Sequence, residues 1–203
     1  KIAERGPNFD FRLPEVNSIV MSGHKWPGAP WPCGIFMTKS KYQLYPPDDP
    51  AYIGAPDTTF SGSRNGFSAI VMWDFLARNS YDHQIDRVLK CEHIVKYAED
   101  KLNKLQKEYY PNLDLYIART PLALTVRFRK PSDDLVFKYS LSCETLMVGE
   151  EERHYAHVYA MTLVSEKLID EFINDLQKAN AFIVAEPDGA NAVVRFRHSS
   201  GWK

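Results

Sequence analysis

Long apolar runs are missing from this chain of 203 residues: no stretch approaches the roughly 18 uninterrupted apolar residues that a membrane-crossing helix needs, and no membrane partner is expected. Blocks of like charge are missing too. The 25 lysines and arginines and the 26 aspartates and glutamates are spread along the sequence, and a net charge of -1 argues against nucleic acid as a partner. Cysteine is scarce. Three of them, at positions 33, 91 and 143, cannot all pair with one another, which fits a reducing, cytoplasmic setting. The opening KIAERGPNFDF lacks the basic-then-apolar pattern of a signal peptide and carries no initiator methionine, so the sequence reads as a fragment or a processed piece. There is no internal repeat and no low-complexity tract.

What is present is enough apolar material, 44% of residues, for one good core or two small ones. VNSIVMSG (16–23) and CGIFMTK (33–39) are short apolar runs of strand length. Residues 43–60 hold four prolines and read as a loop that no regular element can fill. The period then changes. Phe67, Ile70, Val71 and Phe75 fall at helical spacing, and after RNS a longer helical pattern runs through Ile85, Val88, Leu89, Ile94, Val95, Leu102 and Leu105. Beyond Pro111, LDLYIA and LALTVRFRK read as strands, the second with one wet face. A helix is expected over Asp133–Leu141 and another from the N-cap Ser165, with Leu168, Ile169, Phe172, Ile173 and Leu176 on one side. FIVAEP and AVVRFRHS read as a closing hairpin across DGAN. The back half is thus expected to set helices on one face of an antiparallel sheet.

The chemistry concentrates in SGHKWPGAPWPCG (22–34), where a lysine sits at the end of an apolar run and before a rigid loop. A lysine that forms a Schiff base must be neutral part of the time, through desolvation or a cationic neighbour. A cofactor phosphate needs small hydroxyl residues, backbone N–H groups and a cation, and Ser22, Gly23 and His24 can supply them. Strand, small residue, then His-Lys is therefore a physically sensible attachment site for pyridoxal 5'-phosphate. The tripeptide alone is weak evidence, since most such strings are ordinary exposed turns.

Three ordered stretches widen the context: FDFRLPEVNSIVMSGHKW, PCGIFMTKSKYQL and DTTFSGSRNGFSAIVMWDFL. Together they resemble the group II pyridoxal-phosphate-dependent amino acid decarboxylases, with the histidine and plant serine decarboxylase branches nearest. ERHYAHVYAMTLVSEKLIDEFINDL is similar to the AHV strand and C-terminal helix of those enzymes. The resemblance implies an α/β chain: residues 1–108 as the end of a fold-type I large domain with a long linking helix, and residues 109–203 as a small α+β C-terminal domain. It implies that Lys25 carries the cofactor, that His24 and Ser22 lie at the cofactor phosphate, and that Ser63 in SGSRNG reaches the phosphate of a neighbouring subunit in a dimer. It also implies that Tyr52 in AYIGAPD closes over substrate, where Tyr52 or Lys25 would return a proton to the carbanion, and that Arg195 faces the substrate carboxylate.

Plainer roles stand beside these. Ser63, between Gly62 and Gly66, can simply shape a turn, Tyr52 can be loop packing, and Arg195 with Arg197 can be an ion-paired strand face. His154 and His157 are three apart, but no further His or Cys stands at ligand spacing, so no metal is expected. Cys33 and Cys91 keep apolar company and read as small buried hydrophobes.

The implied activity is decarboxylation of a small L-amino acid to its amine. Family members carry, well upstream of the lysine, an aspartate that keeps the cofactor ring nitrogen protonated; here the lysine is residue 25. The expectation is a C-terminal portion that needs an N-terminal portion to act. A non-catalytic assembly half and an aldehyde synthase on the same fold are the alternatives.

Overall fold

The computed structural model of the chain describes residues 6–27, 29, 32–44 and 65–182. The chain divides into two compact units, Lys1–His93 and Ile94–Lys203, with the division inside a long helix. The boundary expected from sequence, 108/109, lies fifteen residues further along, in the last turn of that helix.

In the first unit, Ser18–Ser22 (β1) pairs antiparallel with Gly34–Thr38 (β2), in the register Ile19 with Met37, Val20 with Phe36 and Met21 with Ile35. Branched and aromatic side chains suit both strands. Alternation puts Ile19, Met21, Ile35 and Met37 on one face and Val20 and Phe36 on the other, so the ribbon is apolar on both. Strands that are apolar on both faces belong inside sheets covered on both sides. Here Val20 is 75% and Phe36 67% exposed.

Helix α1 (Gly66–Arg78) starts where Asn65 accepts a hydrogen bond from the Phe67 N–H at 3.0 Å, which satisfies one of the donors a helix start leaves open. It closes on Asn79, whose side-chain amide donates to the Phe75 carbonyl at 2.6 Å. Helix α2 (Tyr81–Tyr109) follows at once, its first turn steadied by the Ser80 hydroxyl accepting from the His83 N–H at 3.2 Å. These are the medium and the long helix that the apolar spacing predicts.

The second unit holds the three-stranded antiparallel sheet β3-β5-β4, built from Thr125–Arg129 (β3), Ser142–Val148 (β4) and Glu151–Tyr159 (β5). Between β3 and β4 lies α3 (Asp133–Lys138), which ends three residues before the expected Leu141 because the chain turns there through Ser140 at φ 50 and enters β4 at Ser142. Helix α4 (Glu166–Leu176) begins at the expected cap, the Ser165 hydroxyl accepting from the Leu168 N–H at 3.3 Å. Of the expected stripe, Ile169, Phe172, Ile173 and Leu176 are buried and Leu168 is exposed, and Phe172 meets Phe128 of β3 and Tyr139 edge-on, with ring centroids 5.7 Å and 4.9 Å away. Val126 and Phe128 are fully buried, while Thr125, Arg127 and Arg129 are half-buried on the opposite face, the one-sided pattern read from LALTVRFRK.

LDLYIA is not a strand. Only Ala118 bridges Arg127, because Tyr116 sits at φ 53 and interrupts the extended run, while the Tyr116 ring lies under the guanidinium groups of Arg129 and Arg153. The hairpin expected across DGAN lies outside the described residues, as does most of the proline loop.

Candidate functional site at the lysine turn

β1 ends at Ser22, and the next residues fold back onto the start of β2. The Gly23 N–H donates to the Cys33 carbonyl and the Ala29 N–H to the Gly23 carbonyl, both at 3.0 Å, while the Lys25 N–H donates to the Ser22 carbonyl at 3.3 Å. These bonds hold the backbone of Lys25 at a defined distance from both strands. Gly23 is required by space: a Cβ there would stand 2.6 Å from Cys33 Sγ and 2.7 Å from Met72 Sδ of α1.

The imidazole of His24 is oriented by the same residue of β2. Its Nδ1 lies 3.1 Å from the Cys33 carbonyl oxygen and 3.2 Å from the Cys33 nitrogen, so it donates to the first in one tautomer and accepts from the second in the other. Nδ1 is engaged with backbone in both tautomers, and in the one where it accepts from the Cys33 N–H, Nε2 carries the proton and can donate to an anionic ligand. Lys25 is exposed and Ser22 half-buried. Beside the turn runs a groove of about 640 Å³ lined by Pro32, Cys33, Gly34, Asn65, Gly66, Ser68, Ala69 and Met72, within the roughly 300–1,000 Å³ usual for small-molecule sites.

Of the residues singled out from sequence, Ser22, His24 and Lys25 are thus gathered in one turn at the mouth of β1. Ser63, Tyr52 and Arg195 lie outside the described residues. Cys33 is half-buried and its backbone ties down both Gly23 and His24, a role distinct from the small buried hydrophobe read from its apolar neighbours. Cys91 is buried in α2, and burial pushes its thiol upward. His154 and His157, read as unfit for a metal, stand an odd number of residues apart on β5 and so face opposite sides of the sheet. His154 meets Thr145 at 2.9 Å and His157 meets Glu144 at 3.2 Å.

A primary amine on a turn pinned at both ends, a backbone-oriented imidazole one residue before it, a serine hydroxyl two before that and a groove alongside fit the aldehyde and the phosphate of pyridoxal phosphate. An amine bonds the one, and N–H and O–H donors bind the other.

Comparison with solved proteins defines the class: the fold is that of the fold-type I pyridoxal-phosphate-dependent enzymes, here the end of a large domain followed by a small α+β domain. The L-methionine decarboxylase of Streptomyces sp. 590, solved in an internal aldimine form, superposes with a TM-score of 0.73 at 51% identity, covering 80% of this chain and 32% of that one. Serine decarboxylase 1 of Oryza sativa subsp. japonica is 30% identical over 179 residues, 88% of this chain and 34% of its own length. The histidine decarboxylase of Solanum lycopersicum is 29% identical over 83% of this chain and 37% of its own. No family model matches the chain. Over a C-terminal portion of their length, then, the chain is a relative of the group II pyridoxal-phosphate-dependent amino acid decarboxylases, and it spans about a third of each of these relatives.

Proposed function

We propose that this chain is the C-terminal part of a pyridoxal-phosphate-dependent decarboxylase that converts a small L-amino acid into its amine and carbon dioxide, active together with an N-terminal portion. The observation that carries the proposal is the pinned lysine turn, Ser22 to Ala29, in a chain aligned over most of its length with decarboxylases.

When bound, the cofactor supplies a ring that accepts the electron pair released as the carbon–carboxylate bond breaks. The residues of this chain do the rest of the holding. Lys25 Nζ anchors the coenzyme aldehyde and, once displaced by substrate, is a base and acid at hand for one proton. His24, through Nε2, and the Ser22 hydroxyl donate to the phosphate. Ser63, contributed to the neighbouring subunit of a dimer, binds that subunit's phosphate; Tyr52 closes over substrate, and Tyr52 or Lys25 returns the proton that takes the carboxylate's place; Arg195 binds the substrate carboxylate. These last three assignments rest on the sequence likeness.

The exposure of Lys25 supports the need for a second polypeptide portion. A coenzyme and substrate held at an exposed lysine lie open to water, so walls from elsewhere must close over them. The test is borohydride reduction of the chain mixed with pyridoxal phosphate, alone and with the N-terminal portion of a relative, followed by peptide mass spectrometry. The expected outcome is a reduced phosphopyridoxyl group on Lys25 and release of carbon dioxide from amino acid only in the complete assembly. Labelling spread evenly over surface lysines in both samples overturns the proposal.

A further inference from the structure

The residue after the lysine is held by a side chain more than sixty positions away. The guanidinium carbon of Arg87 on α2 lies 4.7 Å from the ring centroid of Trp26 and 4.9 Å from that of Phe75 on α1. One planar cation therefore touches an aromatic ring from the lysine turn and another from α1. Arg87 is half-buried, and its Nη1 is buried with no hydrogen-bond partner among the described residues.

That combination is informative. A guanidinium retained chiefly for hydrogen bonding would not leave a buried donor unsatisfied, since that forfeits the water it would otherwise bind. What the group does make is two cation–π contacts, one with each ring, which suit a flat, delocalised and weakly hydrated cation. The backbone bonds of the turn fix Gly23, Lys25 and Ala29 against the strands, but none of them fixes which way Trp26 lies. Trp26 and Lys25 are adjacent, so rotation of the turn about the Gly23–Ala29 bond would swing both side chains together. The Arg87 contact opposes that rotation from the helix side.

Resting on the assignment of Lys25 as the cofactor anchor, we infer that Arg87 is a positioning residue for it: by clamping Trp26 against α1 and α2, Arg87 fixes the direction in which the Lys25 amine leaves the turn. Arg87 does not touch the reacting atoms. Its effect on Lys25 passes through the indole ring.

Two measurements on the full chain decide this. In a background where Trp31, Trp73 and Trp202 are phenylalanine, the emission reports Trp26 alone, and acrylamide quenching reports how freely the indole is reached. Arg87→Met is expected to raise the quenching constant about twofold or more at unchanged helical circular dichroism, and Arg87→Lys, which keeps the charge and loses the plane, to fall close to Arg87→Met. Unchanged quenching in Arg87→Met overturns the clamp. The second readout is the fraction of borohydride-trapped pyridoxal phosphate found on Lys25 relative to all other lysines, which is expected to drop about tenfold in Arg87→Met. A drop equal at every lysine, or none, overturns the positioning role. Failure of wild-type chain to favour Lys25 in any assembly sinks the cofactor assignment instead, and the positioning role with it, while the quenching result still reports on the clamp. Should Arg87→Met not fold, Phe75→Leu removes one ring of the clamp and must move both readouts in the same direction; no movement there overturns the inference.

Discussion

Gly23 and Cys33 touch so closely that no side chain fits between them: the Gly23 N–H donates to the Cys33 carbonyl at 3.0 Å, and a Cβ on Gly23 would stand 2.6 Å from the Cys33 sulfur. The second close atom, Met72 Sδ at 2.7 Å, is near the end of a flexible side chain and can move aside; the cysteine sulfur is one bond from its Cβ and cannot without a rotamer change. Gly23→Ala is therefore expected to loosen the lysine turn and to cost about 1–3 kcal/mol, the usual range for overpacking. Cys33→Ala in the same chain should recover more than half of it. Urea unfolding of both single variants and the double variant measures this, and a double variant no better than Gly23→Ala would show that the backbone, not the sulfur, is the obstacle.

His24 offers a prediction that separates phosphate binding from ring binding. With Nδ1 committed to the Cys33 backbone, the ring has one nitrogen to give to an anion. A hydrogen bond to a charged group contributes about 1.5–3 kcal/mol, so His24→Ala in the complete assembly should weaken retention of pyridoxal phosphate roughly tenfold to a hundredfold. Affinity for pyridoxal, which lacks the phosphate, should change little. Equal losses for the two compounds would move His24 from the phosphate to the ring.

The bare face of the ribbon makes its own forecast. Val20 and Phe36 are cross-strand partners and largely exposed, and on α1 Phe67, Ile70 and Trp73 point outward at three-residue spacing. Large apolar side chains exposed in this number ask for a covering surface, and a two-stranded ribbon is marginal without further strands or a covering layer. The isolated chain should bind the dye anilinonaphthalene sulfonate strongly and associate as its concentration rises. Phe36→Ser should reduce both without lowering the helical signal. Weak dye binding by a monomeric wild-type chain would mean that this face is covered from within.

How much of this was legible beforehand depends on where the information is stored. α4 was plain because Ser165 and the Ile169, Phe172, Ile173, Leu176 stripe are local signals, the cap and the 3.6-residue period, and both point to one answer. The β4–β5 hairpin was not, apart from AHV, since Glu144 on the edge strand β4 and Glu151, Glu152 and Arg153 at the exposed start of the central strand β5 break the alternation. LDLYIA misled because the left-handed Tyr116 is stabilised by Arg129 and Arg153, neighbours that only folding provides. At the lysine turn the reactive residues were visible as a string, whereas the contacts that hold them, to the Cys33 backbone, Met72 and Arg87, join residues distant in sequence and are not written in the spacing of any one stretch.

The last prediction concerns acid. Asp175 near the end of α4 takes Lys138 Nζ, Lys178 Nζ at 2.7 Å and the Tyr139 hydroxyl at 2.6 Å, with its side chain only 12% exposed. The Lys138 ammonium first, then Lys178 and Tyr139, hold its carboxyl well below the usual carboxylate range, and the carboxylate in turn raises Lys138. In the unfolded chain an aspartate titrates near about 3.9. A group depressed by folding stabilises the native state fully above its unfolded value and loses that contribution as pH falls toward its folded one. Stability from Asp175 should therefore be complete at pH 7 and decline below about pH 4, with the depressed Asp170, held by Lys101 and Tyr97, adding to the same limb. Asp175→Asn keeps the shape and removes the charge, and should cost about 1–3 kcal/mol at pH 7, with a visibly smaller difference from wild type at pH 3. Urea unfolding at the two pH values measures it; a difference that is the same at both would show that Asp175 contributes through shape and hydrogen bonding rather than through its charge.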